Sequence, residues 1–509
     1  MTTMTSIRDL LKHEGQSVTL CGWIANKRSS GKVAFLVLRD GSGFAQCVAD
    51  IQQIGEENFE AIKRLTLESS VKLVGNVVRD EKQAGGYEVH LTGIEIYHIA
   101  EEYPIAKKEH GADFLINNRH LWLRSSRQWA IMRIRNQVQF SIHNFFQQRG
   151  FVQMDAPILT GNACEGTTTL FETDFYEEGK AYLSQSGQLY GEAMAMAMGK
   201  IYTFGPTFRA EKSKTPRHLS EFWMIEPEIA FCDLDTDMAL IEEFIRAIVQ
   251  DVWNNCRAEL ETLERNTTLF ENIHKPFPRL TYEEAVDLIR GEATVGGQNA
   301  LELLEQDLAA TKAALEEKRI DLAQREAILE GDTLKKGEIN YQQAKVDKLK
   351  ADIKKLEEDA RNIPLWIDSS RNFPRGEDFG SPNEKALTRL FNTPILVYKW
   401  PAEIKAFYMK RFPDDPNYVK GVDCLAPEGF GEIVGGSERE DNYEILRAAI
   451  EKHELPMDAF QWYLDLRRFG SVPHAGFGLG FERVVMWLTG VSHIRETIPF
   501  PRYYGRLFP

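Results

Sequence analysis

The chain has 509 residues, too many for one ordinary core, so two or three domains are expected. It is 43% hydrophobic and 27% charged, the balance of a soluble globular protein, and no apolar run is long enough to span a membrane. A formal charge of −15 disfavours a general nucleic-acid coat but leaves room for a local basic site.

Residues 1–102 read as a small β domain. The opening MTTMTSIRDLL lacks the apolar core of a secretion signal. VTLCGWIANKR, VAFLVLRD, GFAQCVAD, SVKLVGNVVRD and YEVHLTGIEIYHIA alternate as strands do, with turns at Asp40-Gly41-Ser42-Gly43 and Gly85-Gly86. Five strands with a helical insert at Gln52–Leu65 predict an OB-fold barrel. Such barrels bind single-stranded nucleic acid on one strand face. Phe35 and Gln46 fall on adjacent strands with Arg28 nearby. Alternation alone leaves Phe35 open between a core aromatic and a stacking platform.

Residues 103–123 read as a linker, and 124–509 as one larger domain. Trp129–Gln148 has helical spacing through Ile131, Ile134, Val138, Ile142 and Phe145, with Gly150 as its stop. FVQMDAPILT predicts a strand with Pro157 inside it, hence an edge suited to a subunit contact. GNACEGTTTLF, carrying Glu165, is a candidate lid. AYLSQSGQLYGEAMAMAMG turns from strand to helix. Ile201–Phe231 then forms a long hairpin. Its limbs are Ile201–Phe208 and Phe222–Phe231, joined by a loop with Lys212, Lys214, Arg217 and His218. Arg209 and Glu211, two apart at its mouth, share a face if the strand continues. A helix follows over Leu234–Cys256.

Residues 292–362 break the pattern. Leu301, Leu308, Leu315, Leu322 and Leu329 recur every seven residues, and a second apolar seam includes Val346, Leu349, Ile353 and Leu356. This predicts an antiparallel coiled-coil hairpin, inserted so that its ends return to one place; its partner is unknown. Beyond it, PILVYKWP and KGVDCLAPEGFGEIVGGSERE read as strands, and Tyr443–Glu451 and Pro456–Phe469 as helices. HAGFGLGFERVVMWLTG is a strand feeding a helix from Phe481, with Arg483 in its first turn.

Six scattered cysteines form no CxxC or Cys/His cluster, which argues against structural zinc and fits a reducing cytoplasm. No GxxxxGK[ST] phosphate loop exists, so a nucleotide must be held by side chains. KSKT at Lys212–Thr215 is similar to part of a class I synthetase loop but has no partner motif.

FFQQRGFVQMDAPILT, then FRAE through EFWMIEPE, then GFGLGFERVVMWL resemble, in order, the three motifs of class II aminoacyl-tRNA synthetases. The OB-like domain places the resemblance in the aspartate, asparagine and lysine subgroup. It implies an α+β fold, with an OB-fold anticodon domain and an antiparallel-sheet catalytic domain that the coiled coil interrupts. It also implies a cytoplasmic homodimer that uses ATP and Mg²⁺. Arg209 should bridge the α-phosphate and the substrate carboxylate, as a guanidinium fork can. Glu211 should accept from the adenine amino group, Phe222 should stack on adenine, and Arg483 should cover its other face near the γ-phosphate. Arg217 and His218 should meet outer phosphates or the tRNA end. Asp423 and Glu432 resemble Mg²⁺ carboxylates. Arg28, Phe35 and Gln46 should contact the anticodon.

Substrate choice rests on SGQLYGE. Aspartate enzymes of the subgroup usually carry a lysine three residues after the glutamine; here Gln188 is followed by Gly191. A neutral amide is therefore expected. Gln188 and Glu165 should then bind the α-amino group, Glu221 should accept from the amide directly or through water, and Arg439 should donate to its oxygen. The implied activity is attachment of L-asparagine to tRNA(Asn). The rivals are an aspartate enzyme, discriminating or not, and an amide-forming enzyme resembling asparagine synthetase. GGSERE and EKSKTPRHLSEF resemble the pattern of the asparagine members of the subgroup, but Glu438 stands where glutamine is usual, and Lys212, Lys214 and Pro216 where Asn, Asn and Ser are common.

Overall fold

The computed structural model describes residues 3–105, 110–162, 170–177, 179–213, 215–331 and 336–508. Two compact units divide it, 1–124 and 125–509.

In the first unit, β1 (Ser17–Ser30), β2 (Val33–Arg39), β3 (Phe44–Asp50), β4 (Ser70–Arg79) and β5 (Tyr87–His98) close a barrel in the order β1-β2-β3-β5-β4, with β4 returning to β1. Helix α1 (Glu56–Arg64) lies between β3 and β4. Alternation dictates which residues fill the barrel. Ala34, Leu36 and Leu38 of β2 are buried, whereas Phe35 between them is only partly covered. Residues 103–123 are not a bare linker, since Ala112–Asn117 and Arg119–Trp122 are helical. Both turns are short, and NNRHLWLRS has too few residues to display a helical period.

The second unit is built on an eight-stranded sheet. Its core-side helices are α2 (Ser126–Gln148) and α4 (Leu234–Asn255), and α3 (Gln188–Met198) precedes the central hairpin. The strands are β6 (Val152–Met154), β7 (Lys200–Phe208), β8 (Glu221–Ala230), β9 (Arg279–Thr281), β10 (Ile395–Pro401), β11 (Tyr418–Ala426), β12 (Gly431–Glu438) and β13 (His474–Gly480). They run in the order β9-β10-β11-β12-β13-β8-β7-β6. All neighbours are antiparallel except the two outermost pairs, β9–β10 and β6–β7. Asp233 caps α4 by accepting from the Thr236 amide at 2.9 Å. Apolar residues of α2 and α4 pack with Ile225, Phe477 and Leu479 on one sheet face. The other face carries the site.

Three boundaries differ from expectation. Pro157 lies in no strand; it separates β6 from the short strand Leu159–Thr160, because a residue without an amide hydrogen interrupts the ladder. Arg209 and Glu211 lie beyond the end of β7 rather than on it. The long helices are α6 (Ala300–Leu329) and α7 (Lys336–Arg371), following α5 (Tyr282–Ile289), and α7 runs through Pro364 past residue 362. They pack antiparallel, with Lys318 meeting Asp352, Arg325 meeting Gln342, and Leu304 clustering with Ile363 and Ile367. The chain then continues through α8 (Ser381–Thr388) to β10. Helices α9 (Tyr443–Lys452), α10 (Met457–Arg468) and α11 (Phe481–Thr489) complete the unit.

Candidate active site

The hairpin β7–β8 sets the site by parity. Phe208 pairs with Glu221 and Thr203 with Glu226. Phe222, Met224, Glu226 and Glu228 therefore point to one face, which two adjoining cavities occupy. The first cavity is lined by Arg209, Glu211, Arg217, His218, Phe222 and Arg483. The second is lined by Ser186, Gln188, Glu226, Glu228, Asp423 and Arg439. Arg209, Met224, Glu432 and Gly478 belong to both.

Arg209 leaves β7 with its amide bonded to the Ser220 carbonyl at 3.0 Å, which fixes the loop mouth. Its guanidinium lies 5.5 Å from the Phe222 ring centre. Its Nε is buried without a hydrogen-bond partner among the described residues, so a donor is held ready for an anion. Glu211 is 3.9 Å from His218. Arg483 reaches from α11 to Glu432 at 2.9 Å. Arg217 is tied to Glu384 at 3.1 Å and to the Gly429 carbonyl.

Asp423 and Glu432 both approach the backbone at Gly435. A Cβ there would stand 2.9 Å from Glu432 Oε1 and 3.6 Å from Asp423 Oδ1. Burial pushes the Asp423 carboxyl up to about 7 even though Lys405 pairs with it at 2.7 Å. Asp423 opens into the second cavity and Glu432 into both, and these two carboxylates fit a hard divalent ion completed by phosphate oxygens and water.

The floor of the second cavity is a buried polar lattice. Glu226 accepts from the Gly187 amide at 2.8 Å, from Thr203 at 2.9 Å and from Ser186, so β8 holds the start of α3 in place. Gln188 donates to Glu192 at 3.1 Å. Glu192 also accepts from Arg467 at 2.7 Å and Tyr463 at 2.8 Å, and contacts His474 at 3.0 Å. Burial opposes its charge, but Arg467 and His474 outweigh it and hold the carboxyl well below the usual range. Arg439 forms a fork with Glu228, at 2.5 and 3.3 Å, and donates to Ser437 at 2.8 Å. Burial and the nearby Glu192 raise Glu228 to about 7, against the pull of Arg439.

The structure does not bring Glu221 to this cavity. One position out of phase with Phe222, it faces a separate cavity with Lys212, Arg502 and Phe508. Glu228 stands where Glu221 was expected. The EPE run of the second limb was the available signal, since Glu226 and Glu228 share the parity of Phe222. Gly191 lies behind the cavity wall. A Cβ there would meet Glu228 Cγ at 3.2 Å and Ile201 Cδ1 at 3.4 Å. Glu165 and Lys214 lie outside the described residues.

In the first unit, Arg28, Phe35 and Gln46 come together on one outer barrel face. Arg28 pairs across strands with Phe35, lies 4.6 Å over its ring, and donates to Gln46 at 3.3 Å. Gln46 in turn donates to Glu88 at 2.9 Å, a residue the sequence reading did not single out.

A family model described as tRNA synthetases class II (D, K and N) matches residues 111–504, and one described as OB-fold nucleic acid binding domain matches residues 18–97. The fold and site thus define a class, the class II tRNA synthetases. Asparagine–tRNA ligases from Sorangium cellulosum and Symbiobacterium thermophilum are 48% and 46% identical over 502 and 500 residues, 98% of each chain in both cases. Asparaginyl-tRNA synthetase from Pyrococcus horikoshii, solved with asparaginyl-adenylate, is 34% identical over 100% of both chains, with a TM-score of 0.81. The Entamoeba histolytica enzyme, also solved with asparaginyl-adenylate, is 27% identical over 100% of both chains, with a TM-score of 0.75. The chain belongs to this asparagine–tRNA ligase family within class II.

Proposed function

We propose that the protein activates L-asparagine with ATP and transfers it to tRNA(Asn). The observation that carries the reading is the position of Arg209, which lines both cavities at once. Adenylation needs such a cation, because a carboxylate and a phosphate must approach each other as charge builds on phosphorus. A carboxylate oxygen of asparagine attacks the α-phosphorus, and the bond to the β-phosphate bridging oxygen breaks to release pyrophosphate. The terminal ribose hydroxyl of the tRNA then attacks the adenylate carbonyl, and AMP leaves.

Phe222 and Glu211 suit adenine in the first cavity, with Arg483, Arg217 and His218 around the phosphates. Magnesium held by Asp423 and Glu432 would supply charge neutralisation at the phosphate oxygens. In the second cavity Gln188 suits the α-amino group. Arg439 donates to the amide oxygen and Glu228, rather than Glu221, accepts from the amide nitrogen. A substrate carboxylate would instead face Glu228. Arg28, Phe35 and Gln46 form the anticodon face. The exposed edge strand β6 suits a second copy of the chain. A cytoplasmic site of action fits the reaction, and among the described residues no helix is long and apolar enough to cross a membrane.

Pyrophosphate exchange with asparagine and with aspartate tests the reading. Exchange is expected with asparagine alone; equal exchange with aspartate overturns the specificity.

A further inference from the structure

The helical arm α6–α7 meets the nucleotide cavity through one short helix, α8. On one side of α8, Ser381 and Glu384 hold the guanidinium of Arg217, at 3.2 and 3.1 Å. On the other side, Ala386 is buried among Ala300, Leu304, Ile363 and Ile367, the base of the arm. Two further contacts tie the same pieces together. Lys385 lies 4.6 Å over Trp366 of α7, and its stem packs against Gly429, whose carbonyl accepts from Arg217. Arg389, one residue past α8, pairs with Asp307 of α6.

We propose that Ser381 and Glu384 are positioning residues for Arg217, and that the base of the arm sets their place through α8. This rests on Arg217 being a ligand of the outer phosphates of ATP. An arginine free to swing loses side-chain entropy each time it closes on a phosphate. Here one Nη1 hydrogen goes to Ser381 and the other to Glu384, while one Nη2 hydrogen goes to Gly429. Among the described residues Nε–H and the second Nη2 hydrogen have no hydrogen-bond partner, so they are open to the cavity that Arg217 lines, in a fixed plane. The arm need not touch substrate to matter: a shift of α8 turns that plane. A ligand or partner that moves the arm base would therefore change ATP affinity more than asparagine affinity, because Ser381 and Glu384 share a cavity with Arg217 and His218, whereas Gln188, Glu228 and Arg439 line the second cavity, which no residue of α8 lines.

The test compares E384A, E384Q, S381A and L304A in asparagine-dependent pyrophosphate exchange. E384A should raise KM for ATP about tenfold, as expected for a lost charge-assisted bond. E384Q should recover most of that rise. S381A, at the surface, and L304A, at the arm base, should each raise it about threefold. In every case KM for asparagine and kcat should stay within about twofold. Replacing residues 312–354 with a short turn, which spares the arm base, should leave all three parameters unchanged. If E384A does not fold, S381A carries the test of positioning. An unaltered KM for ATP in E384A and S381A, or an equal rise for asparagine, overturns the positioning role. An unaltered KM in L304A overturns the coupling to the arm. Absence of exchange in the unaltered protein would instead overturn the reading of the site.

Discussion

Arg439 and Glu228 are 3% and 0% exposed, so each charge depends on the other. Removing one partner of such a pair leaves a buried charge at a cost of about 3–5 kcal/mol. Glu228→Gln keeps the shape while removing half of the fork and the acceptor for an amide. We expect kcat/KM for asparagine to fall at least about 30-fold, with KM for ATP within about threefold, in pyrophosphate exchange. Asp237 of α4 offers a cleaner reading of charge. Both its oxygens are buried without a hydrogen-bond partner among the described residues, and burial raises it from 3.8 to about 7. A carboxyl whose folded value is raised binds more protons folded than unfolded, so stability falls as pH climbs through that window. Asp237→Asn should therefore stabilise the protein at pH above about 7, and the gain should shrink by about 1.4 kcal/mol per pH unit down to about pH 4. Thermal unfolding across that range checks it; a gain that does not vary with pH contradicts the assignment. At this scale the sequence was readable where chemistry forced residue type. Arg209, Glu211, Phe222 and Arg483 do line one cavity. Glu221 was assigned to the amide without regard to strand phase, and period-two alternation sends it to the face opposite Phe222 and Glu228.

The arm is held by a thin apolar seam with ion pairs outside it. Val346, Leu349 and Ile353 are buried on α7. Lys318–Asp352, Arg319–Glu357 and Lys350–Glu326 bridge the two helices at 2.7 to 2.8 Å, with their side chains at least a third exposed. Exposed pairs contribute at most about 1 kcal/mol each, whereas a buried apolar truncation costs more. Val346→Ala should destabilise the arm by about 1–3 kcal/mol and Asp352→Ala by less than about 1 kcal/mol. Hydrogen exchange over residues 340–360 separates the two, and equal effects would show that the seam is ionic. The seven-residue spacing announced these helices. Their ends were hidden, because Pro364 reads as a stop while tertiary packing of Ile363 and Ile367 carries α7 past it.

The residues proposed to meet the anticodon and those proposed for activation lie in different units, 1–124 and 125–509, so the two functions are separable by mutation. Phe35→Ala should lower kcat/KM for charging tRNA by about 5- to 150-fold, the range of one lost base stack, and leave asparagine-dependent pyrophosphate exchange unchanged. Equal loss in both assays would mean that Phe35 supports the fold instead. The two-unit plan was legible from strand spacing and motif order. The lattice around Glu192 was not, because its members are far apart in sequence and each looks ordinary alone. That lattice also sets an order of assembly. Glu192 lies on α3, but Tyr463, Arg467 and His474 come from α10 and β13, 271 to 282 residues later. During synthesis, α3 and the hairpin emerge with a bare carboxylate that must stay hydrated or protonated. The second cavity can close only after α10 and β13 have left the ribosome, so a chain stalled before them has its sheet begun and that cavity unformed.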